Sequence, residues 1–363
     1  MSSKKKIRVT IVAPGPQSEG GIRSVVERIL PRLDAHEEFE VVWLASQRSG
    51  SAFAKLFCLL KSLVKAFYYL PRSDVVHVHG TVGLSLLRKS AFIWLARVTR
   101  CRVIFHFHAP QTVFEQFFAK PGFLTAYSRF TLKQCDALVV LSESWGETVR
   151  SEFPESNIVV IYNPVAESLE ANKGDRAASC NVLYLAHLIK RKGFDDLIQA
   201  FALVVESVPD ARLIFCGSGE VEHAQRLSAD LGIANRVEFR GWISEKEKMV
   251  ELARAAVFCL PSYDEGLPMG ILEAMSSGVA IVTTPVGGVP DVLSHEINAL
   301  LVDPGDIDDL GKQLIRLLTN VQLRDRLSEE ALRDSDKFHP DRIAGHWVKL
   351  YRSISGAVGA TDR

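Results

Sequence analysis

The chain has 363 residues, of which 47% are hydrophobic and 24% charged, and its 43 lysines and arginines balance 43 aspartates and glutamates. A single hydrophobic core rarely grows beyond about 250–300 residues, so this length predicts two domains. A formal net charge of zero argues against a dedicated nucleic-acid-binding protein, which usually carries a basic excess.

The first half of the chain alternates apolar strand patterns with helical patterns. Helices are predicted at 21–34 and 86–99, and strands at 7–13, 39–45, 74–80, 102–108, 137–142 and 157–163. Strands that alternate with helices predict βαβ units and a parallel sheet. Apolar runs without polar alternation are typical of strands covered on both faces.

A polar stretch without periodicity, residues 164–180, predicts a linker, after which the same pattern restarts. Strands are predicted at 181–187, 211–217, 236–241, 255–262, 279–285 and 298–303, and an amphipathic helix at 341–354. The fold class is therefore α/β, with two Rossmann-like doubly wound parallel-sheet domains. We place the first domain at 1–165, the second at 166–340 and a carboxyl-terminal segment at 341–363. Ligands of such sheets bind outside the carboxyl ends of the strands.

Cysteine usage and the amino terminus indicate a cytoplasmic protein. The six cysteines are scattered without a C-x-x-C pair, which favours buried, reduced thiols. The basic start MSSKKKIRVTIVA is too short and too polar at Arg8 for a signal peptide, so a first strand is expected. A transmembrane helix needs about 18 or more apolar residues in a row, and the sequence has no such run.

The loop after the first predicted strand, APGPQSEGGIR, lacks two common nucleotide motifs. Gly21 and Ile22 stand where a P-loop requires lysine and then serine or threonine, and G-x-G-x-x-G is absent. What remains is a Gly20–Gly21 turn that opens a helix. Its exposed N–H groups could approach a phosphate or a sugar, or the pair could form only a tight turn.

The stretch EGLPMGILE (265–273) places two glutamates around the start of a helix. Pro268 suits the first helical position, and the free N–H groups of that turn would favour an anion. Glu265 could accept hydrogen bonds from sugar hydroxyls, and Glu273 from a ribose. The alternative is that both are solvated glutamates at a helix end, which spacing alone favours.

The surrounding residues decide between these readings. The segment PSYDEGLPMGILEAMSSGVAIVTTPVGGVPDVL resembles the signature of the retaining glycosyltransferases of family 4, which have the GT-B fold of two Rossmann-like domains facing a cleft. The segments LYLAHLIKRKGFDDLI and LIFCGSGE also match the family in order. The resemblance covers nearly the whole chain and is most specific in the carboxyl-terminal half.

The resemblance implies roles for individual residues. The implied catalytic residues are His108, Lys192 and Glu265. The implied donor-binding residues are Gly20, Gly21, His187, Arg191, Gly217, Gly219, Leu267, Met269, Gly270 and Glu273. In this assignment Glu265 contacts the donor sugar, Glu273 holds the ribose, and Lys192 neutralises the leaving phosphates. The backbone of 267–270 cradles the diphosphate, and His106 is a weaker candidate than His108 for the active-site histidine.

One departure from the family is His187, where relatives usually carry arginine. Arg191 could substitute for it, or bound phosphates could protonate His187. Lys192 also has a simpler interpretation, as a surface lysine in a loop.

No metal and no cofactor are expected. A lysine and a helix amino terminus can stabilise the charge that develops on a leaving diphosphate. The D-x-D triplets at Asp306–Asp308 and Asp334–Asp336 do not follow apolar strands, so we predict exposed surface for both.

The apolar segment 53–70, with Lys61 and Lys65 on one helical face, is either a core helix or an interfacial helix at a membrane, which Lys4, Lys5 and Lys6 would assist. The resemblance implies a retaining transferase that moves a sugar from a nucleotide-diphosphate donor to a saccharide acceptor, lipid-linked or free. The expected location is the cytoplasm or, if 53–70 is an interfacial helix, the inner face of the cell membrane. Nucleic acid is not an expected partner. The alternatives are a sugar-nucleotide epimerase or a phosphorylase of the same fold, and a non-catalytic nucleotide-sugar-binding protein.

Overall fold

The computed structural model describes residues 6–18, 20–165 and 178–356. Within them, twelve strands form two six-stranded sheets in which every neighbouring pair is parallel. The predicted α/β class with two doubly wound sheets is therefore confirmed. Residues 166–177 of the predicted linker, together with Lys4 and Lys5, lie outside the described residues.

The chain divides into two compact units. Unit 1 comprises Met1–Pro164 and Phe338–Arg363, and unit 2 comprises Val165–Lys337. The predicted first boundary, after residue 165, is one residue from this division. The predicted start of the carboxyl-terminal segment, residue 341, lies three residues beyond Phe338.

Unit 1 contains six strands in the order β2-β1-β3-β4-β5-β6. The strands are β1 (Ile7–Pro14), β2 (Phe39–Gln47), β3 (Val75–Gly80), β4 (Arg102–Phe107), β5 (Ala137–Val140) and β6 (Ile158–Val160). The helices are α1 (Gly21–Asp34), α2 (Ala52–Tyr69), α3 (Leu84–Val98), α4 (Gln111–Ala119), α5 (Phe123–Leu132), α6 (Glu143–Glu152) and α13 (Pro340–Ser355). The strand order reverses between β1 and β3, which marks a topological switch point.

The last helix of the chain, α13, belongs to unit 1. It packs against α1 and β3 and buries Trp347 and Tyr351 completely. The predicted helix at 341–354 is thus confirmed, and it lies on the amino-terminal domain. The predicted strand 74–80 is fully buried as β3, in agreement with a strand covered on both faces.

Unit 2 contains six strands in the order β12-β11-β10-β7-β8-β9. The strands are β7 (Asn181–Leu185), β8 (Arg212–Cys216), β9 (Val237–Gly241), β10 (Val257–Leu260), β11 (Ala280–Thr283) and β12 (Leu300–Leu301). The helices are α7 (Phe194–Ser207), α8 (Val221–Asp230), α9 (Glu245–Arg254), α10 (Met269–Ser276), α11 (Ile307–Thr319) and α12 (Val321–Ser335). Counted from β7, this is the strand order of a dinucleotide-binding fold, with its switch point between β7 and β10.

Candidate functional site

The site in unit 2 forms where β7 and β10 end, at the switch point of the sheet. β10 is followed by the loop 261–268, which carries Glu265 at 5% exposure. Ser262 Oγ donates a hydrogen bond to Glu265 Oε1 at 2.7 Å. The interpretation of Glu265 as a solvated glutamate is therefore wrong, because its carboxylate is buried and held by specific donors.

Lys192 supplies the positive partner of Glu265. It ends the short 3-10 turn Lys190–Lys192 after β7, and its Nζ forms an ion pair with Glu265 Oε1. The Lys192 side chain is only 15% exposed, so the simpler interpretation as a surface lysine is also wrong. Arg191 Nη1 lies 3.8 Å from Glu265 Oε2 and donates to the Asp264 carbonyl. A buried carboxylate requires such partners, because an unpaired buried charge is costly.

Close backbone contacts fix the two loops against each other. Gly193 has φ of +67°, and a Cβ there would lie 1.9 Å from the Pro261 carbonyl oxygen. Tyr263 N donates to the Arg191 carbonyl at 2.8 Å. Glycine is therefore required at position 193 for two reasons: its backbone is left-handed, and there is no space for a side chain. These contacts hold the Lys192 loop beside the Glu265 loop.

Glu273, one turn into α10, is the second buried carboxylate of the site. Its exposure is 4%, and Lys248 Nζ of α9 lies 2.7 Å from its Oε1. Lys248 Nζ also lies 2.9 Å from Glu245 Oε2. Glu273 is thus not a solvated residue either. Sequence reasoning missed Lys248, since no motif links a lysine on one helix to a glutamate 25 positions later.

The amino terminus of α10 differs slightly from its prediction. Pro268 is the N-cap residue, with φ −69° and ψ 127°, and the helix begins at Met269. Extended backbone suits proline, and Ile271 N donates to the Pro268 carbonyl at 3.2 Å at the start of the helix. Leu267 is buried at 4% exposure. A Cβ on Gly270 would lie 3.1 Å from the Leu185 carbonyl oxygen, so glycine lets α10 approach the end of β7.

Gly217 and Gly219 have a structural role that the sequence analysis did not foresee. A Cβ on Gly217 would lie 1.9 Å from the Ala186 carbonyl oxygen, and one on Gly219 would lie 2.3 Å from the Leu188 carbonyl oxygen. Gly219 also has φ of +129°. These glycines let the loop after β8 contact the loop after β7. Their predicted contact with a nucleotide stays a prediction.

His187 is exposed and oriented by its neighbours. Its Nδ1 lies 3.0 Å from Ser218 Oγ, and its ring stacks on Trp242 with centroids 5.9 Å apart. Tyr184 donates to the His187 carbonyl at 2.9 Å. Burial, and then the charge of Glu265, raise the pKa of Tyr184 well above its usual value, so this hydroxyl stays a donor.

In unit 1, Gly20 and Gly21 form the turn that opens α1. Gly20 is the N-cap with φ of +116°, and a Cβ there would meet no atom of the described residues within 4 Å. The need for glycine at this position is therefore conformational, since L side chains rarely adopt such a φ. The turn remains accessible, as an approach to a phosphate requires, but that role stays a prediction.

Four histidines cluster at the centre of unit 1, where the sequence analysis named two. His106 and His108 come from β4 and its end, and β3 adds His77 and His79. His79 is in register with His106, and His79 Nδ1 lies 2.9 Å from His108 Nε2. Burial and then the charge of Lys89 lower the pKa of His108 to about 3. The alternation HVH and HFH in neighbouring parallel strands was the available signal for this cluster.

The two D-x-D triplets have structural roles at exposed positions. Asp306 caps α11 by accepting from Asp309 N at 2.9 Å. Asp334 accepts from Asn298 Nδ2 at 2.7 Å. The prediction that both triplets lie at the surface is confirmed.

The segment predicted at 53–70 forms α2, whose outer face is apolar. Side chains that are at least half exposed run along that face: Phe53, Leu56, Phe57, Leu60, Val64, Phe67 and Tyr68. Ser62 and Ala66 face the sheet at 3% and 0% exposure. The alternative that this segment is a core helix is therefore wrong. No helix among the described residues is long and apolar enough to cross a membrane.

A cavity of about 340 Å³ lies between α2 and the ends of β1 and β2. Its walls include Trp43 and Phe57, and its basic lining residues are Arg48, Lys61 and Lys65. Ser62 Oγ and Trp43 Nε1 are also in the lining and have no hydrogen-bond partner among the described residues. The cavity thus offers unpaired donors, an apolar wall and positive charge.

Comparison with known families identifies the class of protein. The model described as Glycosyl transferases group 1 matches residues 170–334, and the model Glycosyltransferase Family 4 matches residues 3–169. Together with the two doubly wound units, these matches show that the chain belongs to the group 1 glycosyltransferases and has the GT-B fold. The predicted family and fold are confirmed.

Individual relatives are more distant. An uncharacterized glycosyltransferase of Haemophilus influenzae is 30% identical over 59% of this chain and 60% of that protein. The N-acetyl-alpha-D-glucosaminyl L-malate synthase of Bacillus anthracis is 30% identical over 62% of each chain. The matched part thus spans about three-fifths of these curated relatives.

Solved structures extend the likeness of fold. HepE from Anabaena, in complex with UDP and glucose, has a TM-score of 0.76 at 16% identity, covering 96% of this chain and 100% of that one. Sucrose-phosphate synthase of Thermosynechococcus elongatus has a TM-score of 0.76 at 20% identity, covering 97% and 100%. At these identities the likeness shows the fold.

Proposed function

We propose that the protein is a retaining, metal-independent glycosyltransferase that moves a sugar from a nucleotide-diphosphate sugar to a saccharide acceptor. The observation that carries the proposal is the buried Glu265 carboxylate at the β7/β10 switch point. It forms an ion pair with Lys192, and its Oε1 lies 2.7 Å from Ser262 Oγ. Ligands of doubly wound sheets bind at this kind of position. The proposed work of Glu265 is to accept hydrogen bonds from the donor sugar.

Negative charge develops on the leaving diphosphate, and the proposed role of the positive groups in the site is to stabilise that charge. Lys192 donates one N–H to Glu265, and an ammonium group has two further donors that can reach a phosphate. The first-turn N–H groups of α10 supply additional positive potential. Such preorganised donors need no reorganisation when the sugar–phosphate bond breaks. The reaction is proposed to proceed on the front face of the sugar, and the catalytic role of His108 stays a prediction.

A donor screen tests this proposal. The protein is incubated with UDP-, GDP- and ADP-sugars, and the thermal midpoint and the release of nucleoside diphosphate are followed. One donor should raise the midpoint and be slowly cleaved, and Glu265→Gln should lose cleavage by about 10²–10³-fold. Glu222→Gln, an exposed glutamate on α8, is the matched control and should keep both signals.

Other outcomes of the screen distinguish the alternatives. Binding without release, with every saccharide acceptor tried, would favour a non-catalytic nucleotide-sugar-binding protein. Conversion of the donor into an isomeric sugar nucleotide would indicate an epimerase. Release that depends on inorganic phosphate would indicate a phosphorylase. No binding to any donor would contradict the assignment of the Glu265 site.

The apolar face of α2 favours a lipid-linked acceptor at a membrane surface. Leu60 is 53% exposed and Val64 is 72% exposed, so burying each in lipid would contribute about 1 kcal/mol. Lys61 and Lys65 lie beside this face and line the cavity next to it. Lysines near anionic lipid contribute about 1 kcal/mol each. We therefore propose that α2 lies on the inner face of the membrane and that the cavity receives the anionic part of the acceptor.

Sedimentation with anionic vesicles of phosphatidylglycerol and phosphatidylcholine tests the membrane proposal. Leu60→Ser combined with Val64→Ser should weaken partitioning about 10- to 30-fold. Val98→Ser, at a residue of α3 that is 79% exposed, should leave it unchanged. Equal binding by both variants, or no binding by the unaltered protein at low salt, would contradict the proposed membrane contact.

A further inference from the structure

The histidines of unit 1 form a compact set of ring nitrogens. His77, His79 and His106 are 1–2% exposed, and one nitrogen from each lies within 4.8 Å of the others. Their rings are near-neighbours, with centroids 4.2 Å apart for His77 and His79 and 4.9 Å apart for His79 and His106. Two adjacent strands therefore hold three imidazoles around one point.

Most nitrogens of this set lack partners. His77 Nε2, His79 Nε2 and both nitrogens of His106 are buried and have no hydrogen-bond partner among the described residues. Leaving a buried polar atom unpaired is unfavourable, and native structures rarely contain several together. The cluster therefore requires an explanation beyond packing of aromatic rings.

The opposite nitrogens of two of these rings are held. His77 Nδ1 lies 2.8 Å from Tyr351 Oη, and His79 Nδ1 lies 2.9 Å from His108 Nε2. In the tautomer whose Nδ1 carries the ring proton and donates it, Nε2 presents a lone pair. Histidines that bind metals show the same arrangement, in which an outer partner fixes the ring and its tautomer.

We propose that His77 Nε2, His79 Nε2 and one ring nitrogen of His106 bind a divalent first-row transition metal, with Zn²⁺ as the expected ion. Imidazole nitrogens suit zinc, copper, nickel and cobalt, whereas Ca²⁺ and Mg²⁺ require oxygen ligands that this set does not provide. Zn–N bonds are about 2.0–2.1 Å long, so closure around an ion needs ring shifts on the order of 1 Å.

This metal would join β3 to β4 inside unit 1. Its ligands belong to unit 1, whereas Glu265 and Lys192 belong to unit 2. Its effect on His108 would be indirect, because His79 both ligates the ion and contacts His108 Nε2. No metal was predicted from the sequence, whereas this site depends on the β3 histidines His77 and His79, which had no part in that prediction.

Cobalt titration of chelator-treated protein tests the site. The unaltered protein should bind one Co²⁺ per chain with the intense visible bands of tetrahedral cobalt, and Zn²⁺ should displace it. His79→Asn should abolish these bands, while His346→Asn, at an exposed residue on α13, should retain them. Tyr351→Phe should weaken binding about 10-fold, because it removes the outer partner of His77.

Further readouts keep the outcome decisive. X-ray absorption of the zinc-loaded, unaltered protein should show imidazole ligands, which does not depend on any variant folding. Circular dichroism of metal-free His79→Asn and His106→Asn checks their fold. Absence of tetrahedral bands in the unaltered protein, or equal cobalt affinity in His79→Asn and His346→Asn, would overturn the proposal.

Discussion

Replacing Lys192 by methionine separates the stability of the buried ion pair from its catalytic role. Removing one partner of a buried pair costs about 3–5 kcal/mol when the remaining charge has no other partner. Glu265 keeps Ser262 Oγ at 2.7 Å and Arg191 Nη1 at 3.8 Å. We therefore expect a smaller loss in the free energy of unfolding, about 2–3 kcal/mol, measured by urea denaturation.

A double-mutant cycle makes this prediction sharper. Lys192→Met combined with Glu265→Gln removes both charges and should recover about 1–2 kcal/mol of stability relative to the sum of the single variants. Donor cleavage should not recover and should stay about 10²–10³-fold below the unaltered protein. If the two stability losses simply add, the ion pair does not contribute to the fold. If cleavage recovers with stability, Lys192 acts through folding alone.

Other variants test the packing of both units. Gly217→Ala should prevent unit 2 from folding at ordinary temperature, since its Cβ would lie 1.9 Å from a carbonyl oxygen; a normal thermal transition would refute the packing of that loop. Gly345→Ala on α13, where a Cβ meets no atom of the residues that the structure describes within 4 Å, should instead raise stability by about 0.5–1 kcal/mol in the same melting assay. Iodoacetamide should modify the half-buried Cys58 before the buried Cys216, because burial raises the pKa of the Cys216 thiol to about 12. Peptide mass spectrometry measures the order of modification, and faster modification of Cys216 would contradict this prediction.

The architecture was predictable because its signals are local. Every predicted strand exists, since apolar runs of strand length with helical stretches between them leave little choice of fold class. Boundaries were less predictable: the predicted strand 298–303 is reduced to Leu300–Leu301, which lies at the edge of its sheet and pairs with β11. The strand orders of the two sheets were not predicted, because order depends on packing between distant segments.

The site was predictable only in part, for the same reason. The motif EGLPMGILE indicated Glu265 and Glu273 as site residues, but their burial depends on positively charged side chains from other segments. Lys192 precedes Glu265 by 73 positions, and Lys248 precedes Glu273 by 25. Gly217 was assigned to ligand binding, whereas the structure gives it a close backbone contact that periodicity cannot reveal. Contacts across such distances follow from the fold rather than from local pattern.

The discontinuity of unit 1 has a consequence for synthesis of the protein. Tyr351 Oη and His77 Nδ1 are hydrogen-bonded although 274 positions separate them, so the interior of unit 1 is incomplete until the last helix is made. Val165–Lys337, by contrast, is a continuous segment that can assemble earlier. During synthesis on the ribosome, unit 1 would therefore complete its folding after unit 2, and part of its apolar interior would stay uncovered until α13 is made. Chaperone demand should concentrate in that interval.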